Sequence, residues 1–124
     1  MFSSSSSAEW ILVQETKEAK SYVDADRIRD HKGYIYIWDL LDLDQPNEHG
    51  ISSIMAYTVC DCDLFRYGPI SFSLHKEAMG AGSGKSVNVK EHEWSYPNPS
   101  SRGEAFLNIV CKIASTKQAS AKLP

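Results

Sequence analysis

Residues 34–41, Tyr-Ile-Tyr-Ile-Trp-Asp-Leu-Leu, decide how this chain is read. Aromatic and β-branched side chains alternate through the stretch, and such residues fit the pleated surface of a strand. Because alternate residues point to opposite faces, rings fall on one side at Tyr34, Tyr36 and Trp38, and aliphatic groups on the other at Ile35 and Ile37. A strand apolar on both faces belongs in the middle of a sheet.

Working towards the N-terminus, Gly33 resets the chain direction. Asp26–Asp30 is expected to form a helical turn capped by Asp24 or Asp26. Ser21–Asp24 reads as a short strand that pairs back on Trp10–Thr16, across the charged turn Lys17–Lys20. Towards the C-terminus, 42–50 is a loop by composition, with Pro46, Asn47 and Gly50. Ser52–Cys62 is extended again, and Leu64–His75 is a strand interrupted by Gly68-Pro69. Proline cannot donate to a ladder, so a bulge or a sheet edge is expected there. Ser86–Lys90 alternates with period two, and Glu91–Ser100 reads as an ordered aromatic loop.

Ser101-Arg-Gly-Glu104 has the spacing of a capping box, in which two side chains satisfy free amides at a helix start. From Glu104 to Ala114 follows a broad apolar stripe, Phe106, Leu107, Ile109, Val110, Cys111 and Ile113. The stripe needs a surface, and the one on offer is a face of the antiparallel sheet. The fold class is therefore α+β: about six antiparallel strands with a C-terminal helix on one face. The 124 residues suffice for one core and one domain, placed at 10–114. Residues 1–9, with Ser3 to Ser7, read as a disordered tether, and 115–124 as a flexible tail.

A formal charge of −3 leaves no basic footprint for nucleic acid or an anionic membrane. No run approaches the ~18 apolar residues of a transmembrane helix. The Ser run suggests a mature exported chain whose targeting segment or lipid anchor lies outside this sequence. Cys60-Asp61-Cys62 lacks the spacing of a zinc knuckle or a redox turn. On a strand the two cysteines share a face, so either is placed to meet Cys111 on the buried side of the helix. A structural disulfide from one of them to Cys111 implies an oxidising compartment.

Candidate chemistry is sparse. His31, His49, His75 and His92 sit in separate segments, and solvated surface positions are expected for them. Glu91-His92-Glu93 splits its side chains between faces, and Asp39, Asp42, Asp44 and Glu48 lack the order of a calcium loop, so no metal or cofactor is expected. Residues 79–86, Met-Gly-Ala-Gly-Ser-Gly-Lys-Ser, suggest a phosphate-binding loop, but the first glycine is one residue too close and a strand follows in place of a helix. The stretch reads as a strand connection in which Gly80, Gly82 and Gly84 supply positive φ values. Gly82-Ser83-Gly84 likewise has no helix behind it, as a nucleophile elbow would. The remaining site candidates are aromatic: Trp94, Tyr96 and Tyr67, as protein-contact residues beside Arg or Lys. The alternative for Trp94 is packing under its loop against the helix.

The landmarks together resemble the surface-adhesin protein E family of small exported bacterial proteins. They are Trp10, Tyr22-Val-Asp24 with Arg27-Ile28, Tyr34–Trp38, Tyr57 with Asp61-Cys62, Ser71 to Ser73, Met79-Gly80, Trp94, Gly103-Glu104-Ala105 and Val110-Cys111. The resemblance implies an antiparallel sheet with the helix on its concave face, stapled by a disulfide that carries over as Cys62 to Cys111. Cys60 departs from the family pattern and is read as a buried small hydrophobe, with an intermolecular bridge as the alternative. The function implied is non-enzymatic: an exported envelope or surface protein that binds other proteins, host matrix proteins among them, with a homodimer through a sheet edge as a further expectation. The alternative is a periplasmic accessory or inhibitor-like domain with an envelope partner, and a hydrolase or nucleotide-binding enzyme ranks third.

Overall fold

The computed structural model describes residues 9–122, and the side chains of residues 9–117. Seven antiparallel strands form one sheet: β1 (Trp10–Glu15), β2 (Ala19–Asp24), β3 (Arg29–His31), β4 (Tyr34–Leu43), β5 (Ser53–Asp61), β6 (Arg66–His75) and β7 (Lys85–Asn88). The order across the sheet is β1-β2-β4-β5-β6-β7, with β3 continuing the line of β2 along β4. The doubly apolar stretch is thus central. One helix, α1 (Arg102–Lys122), completes the fold.

The extra strand replaces the helical turn expected at 26–30. Asp24 Oδ1 accepts from the Asp26 amide at 3.0 Å and closes a tight turn, but Arg29–His31 pairs with β4 and does not continue that turn as a helix. Lys32 and Gly33 then both have positive φ, 54° and 85°, so the chain doubles back as a two-residue hairpin that pairs His31 with Tyr34. At Gly68-Pro69 the expected bulge is present. Tyr57 pairs with Ser71 but Thr58 with Pro69, leaving Ile70 extra, and β6 is interior and not an edge.

The helix begins where the capping box places it. Glu104 N donates to Ser101 Oγ at 3.2 Å, and the Glu104 carboxylate accepts from the Ser100 amide at 2.9 Å. Helical backbone runs beyond the stripe, which ends at Ala114, to Lys122, through Ala, Gln and Lys residues of good helix propensity. The Ser-rich tether, apart from Glu9, lies outside the described residues, as do Leu123 and Pro124.

Between helix and sheet sits the core, where Phe106, Leu107, Val110 and Ala114 meet Val23, Ile35, Ile37 and Cys60. Leu107 and Val110 are fully buried, each contributing on the order of 1.5–3 kcal/mol. The disulfide joins Cys62 to Cys111 with Cα atoms 5.9 Å apart, and Cys60 is a buried free thiol in the same core. The opposite face carries the rings of β4 and β5: Tyr57 lies 5.0 Å from Trp38 and 6.0 Å from Tyr36, centroid to centroid.

One end of that face is closed by a short 3-10 turn, Ala78–Gly80. Ser53 Oγ donates to Glu77 O at 2.6 Å and accepts from Gly80 N at 2.8 Å, while Met79 N donates to Asp42 Oδ1. Residues 79–84 are therefore a turn leading into β7 at Lys85, with positive φ at Gly80 and Gly82. Gly84 does not share that conformation. A side chain there would run into Ser73 Oγ and the His75 ring, so glycine serves close approach and not backbone freedom.

Candidate functional site

Segment 92–96 crosses the end of β6 beyond the reach of β7. Ser95 exchanges both backbone hydrogen bonds with Tyr67, at 2.7 and 3.0 Å. Since neighbours on an extended chain alternate, Trp94 and Tyr96 project to the face opposite α1. There the Arg66 guanidinium lies 4.2 Å from the centre of the Trp94 ring, a cation–π contact, and Nη1 donates to Tyr96 Oη at 3.4 Å. Arg66 is held from behind by Asp61, with Nε donating to Oδ2 at 2.8 Å. Burial opposes ionisation of Asp61, but the Arg66 hydrogen bond and the Leu64 amide outweigh it and hold the carboxyl below its ordinary range. Trp94 packs edge-on against Tyr34 at 5.4 Å and His92 at 4.7 Å, so its support is the sheet and not the helix. Tyr96 is 63% exposed.

Of the three aromatic candidates, the structure gathers Trp94 and Tyr96 around Arg66 and sends Tyr67 elsewhere. The Tyr67 ring packs on Phe106 at 5.5 Å, and its hydroxyl lies against Gly103 at the start of α1. Strand parity separates Tyr67 from Arg66, its neighbour. The Arg-Tyr dipeptide at 66–67 is a signal in the sequence, but choosing between its members requires the register with β5.

A cavity of about 100 Å³ lies between the helix start and the sheet, lined in part by Ser21, Asp39, Thr58, Tyr67, Arg102 and Phe106. Thr58 Oγ1 donates to Asp39 Oδ1 at 2.7 Å. Burial lifts the Asp39 pKa from 3.8 to about 7, against the opposing pull of the Thr58 hydrogen bond and the Arg102 charge. This half-buried acid is not singled out in the sequence, where it is grouped with Asp42, Asp44 and Glu48. Strand alternation sends Asp39 towards the helix and Asp42 to the other face, where it holds the 3-10 turn. Among the described residues no three acidic, His or Cys side chains cluster as a metal site would require.

His75 is the one histidine whose expected solvated position is overturned. It is 5% exposed, its Nε2 lies 2.7 Å from Ser73 Oγ, and its Nδ1 lies 3.3 Å from Ala81 O. The ring clasps the 76–84 connection to the sheet, and Gly84 packs directly over the Ser73–His75 pair. His31, His49 and His92 are exposed, although His92 Nε2 reaches Gly68 O at 3.3 Å.

A sheet covered on one face by a single C-terminal helix, with a disulfide from the end of β5 to that helix, defines a small disulfide-stapled α+β domain. The family model described as surface-adhesin protein E matches residues 10–112, and the chain belongs to that family. Among solved structures it is similar to Haemophilus influenzae protein E in crystal form II, with a TM-score of 0.63 and 13% identity over 81% of this chain and 91% of that one. Protein E from non-typeable Haemophilus influenzae gives a TM-score of 0.63 at 13% identity, covering 96% of this chain and 95% of that one. At such identity the likeness speaks for the fold. Among curated proteins no sequence matches. No helix among the described residues is long and apolar enough to cross a membrane.

Proposed function

We propose that this chain is an exported, non-enzymatic envelope protein of the adhesin E type that acts by binding other proteins at the bacterial surface, host matrix proteins among them. The family match over residues 10–112 carries the reading. The Trp94–Arg66–Tyr96 cluster supports it locally. An Arg held by a carboxylate and stacked on Trp, with an exposed Tyr alongside, has the composition and rigidity of an interface hot spot.

The test is binding of the purified, oxidised protein to immobilised matrix glycoproteins by biolayer interferometry, beside the Trp94→Ala and Tyr96→Ala variants. Binding by the parent that weakens by about tenfold or more in the variants supports the assignment of both function and site. Binding unchanged in both variants removes the cluster, and no binding to any matrix glycoprotein removes the adhesin reading. Antibody labelling of intact cells tests the location. Protection from antibody until the outer membrane is opened would favour a periplasmic accessory role.

A further inference from the structure

α1 lies over β1 and β4 and over the Cys60 and Tyr67 ends of β5 and β6, and the other end of β5 and β6, with β7, extends past it on the same side. There a groove of about 700 Å³ opens, with Ile51, Ile54 and Leu74 as an apolar floor and Lys76, Lys85 and His49 around it. Val87, 42% exposed, extends the apolar surface along β7. No carboxylate lines the groove, although the chain as a whole carries a formal charge of −3. His49 lies 3.7 Å from the Glu48 carboxylate, whereas neither lysine joins an ion pair among the described residues. β7 ends the sheet, so the backbone on its outer side offers unpaired donors and acceptors.

We infer that this groove receives an acidic, apolar segment of a partner protein, its hydrophobic side chains on Ile51, Ile54 and Leu74 and its carboxylates on Lys76 and Lys85. The inference rests on the protein-binding function proposed above and adds the chemistry of the partner. Two unpaired ammonium groups on the rim of an apolar floor select negative charge next to hydrophobic bulk. The free edge of β7 favours a peptide over an acyl chain, because it presents main-chain hydrogen bonds that only a peptide can complete.

The experiment uses a fluorescein-labelled octapeptide of alternating Glu and Leu, titrated with the full oxidised chain and followed by anisotropy at low and high salt. The expected result is saturable binding that falls with salt and weakens by about tenfold or more in the Lys76→Glu, Lys85→Glu double variant. A Lys-Leu octapeptide should stay unbound. Both substituted lysines are exposed, and an unchanged thermal midpoint shows that the variant is folded. Equal binding by parent and variant, or binding of the Lys-Leu peptide, overturns the inference. So does preferential binding to phosphatidylglycerol vesicles that the double variant abolishes, which would make the groove a lipid site. A dimer in sedimentation that the double variant dissociates overturns it in favour of a second copy. If the peptide does not bind while matrix binding persists in the variant, the groove inference fails and the adhesin reading stands. If the peptide binds but no matrix glycoprotein does, the groove is supported and the matrix assignment falls.

Discussion

Asp39→Asn should stabilise the protein above neutral pH and leave it nearly unchanged in acid. The carboxyl sits between β4 and the start of α1, where it accepts from Thr58 and faces Arg102, with Tyr22 and Tyr67 the other titratable residues lining the cavity. Folding raises its pKa from 3.8 to about 7, so the folded state holds the proton more tightly than the unfolded chain. The stability contributed by that proton is complete below the unfolded value and is lost as pH climbs through the folded one. At ~1.36 kcal/mol per pKa unit the full loss has an upper bound of about 4 kcal/mol. The adjoining cavity admits water to part of the group, which brings the working figure to about 2 kcal/mol. Asparagine keeps an acceptor for Thr58 and removes the charge. Urea unfolding of both proteins, disulfide intact, should give curves that agree near pH ~4 and diverge up to pH ~8, with the variant more stable. Taking the difference between the two cancels the other titrating groups. A difference that is flat with pH, or that favours the parent at pH ~8, would refute a raised Asp39 pKa.

Reducing the Cys62–Cys111 bridge should cost about 4 kcal/mol on the chain-entropy model for partners 49 residues apart, read as a lower urea midpoint in dithiothreitol. Cys60 should resist maleimide until the protein is unfolded, because burial, and then the Asp39 charge, push its thiol pKa up; mass spectrometry of the labelled chain checks this. Leu107→Ala empties a fully buried position under the helix and should destabilise by about 2–5 kcal/mol in the same unfolding assay. Ser101→Ala removes the side-chain half of the capping box and should cost about 1 kcal/mol, with the loss of amide protection confined to the first turn of α1.

Local patterns carried most of the elements. The period of two through Tyr34–Trp38, the proline after Gly68 and the Ser101–Glu104 spacing each act over a few residues, and each predicted its element. The hairpin at Lys32-Gly33 was also written in the chain, but the aspartates before it suggested a helix cap, and the tertiary pairing of Arg29–His31 with β4 prevailed. Strand parity gave Cys60 and Cys62 equal access to Cys111. The resemblance to the family assigned the bridge to Cys62, and the structure places it there.

What the sequence determined by itself was the kind of surface each element has: a strand apolar on both sides, a helix with one oily stripe, a glycine-rich connection that is no phosphate loop. What covers each surface was decided only when distant elements met. Tyr67 joined the core while Arg66 reached Trp94, His75 was sealed by Gly84, Asp39 was half-buried near the Arg102 charge, and the reach of α1 left the groove beside Lys76 and Lys85 open. Periodicity fixes which way a side chain points relative to its own backbone. Its solvent, charge partners and accessibility depend on residues tens of positions away in the chain.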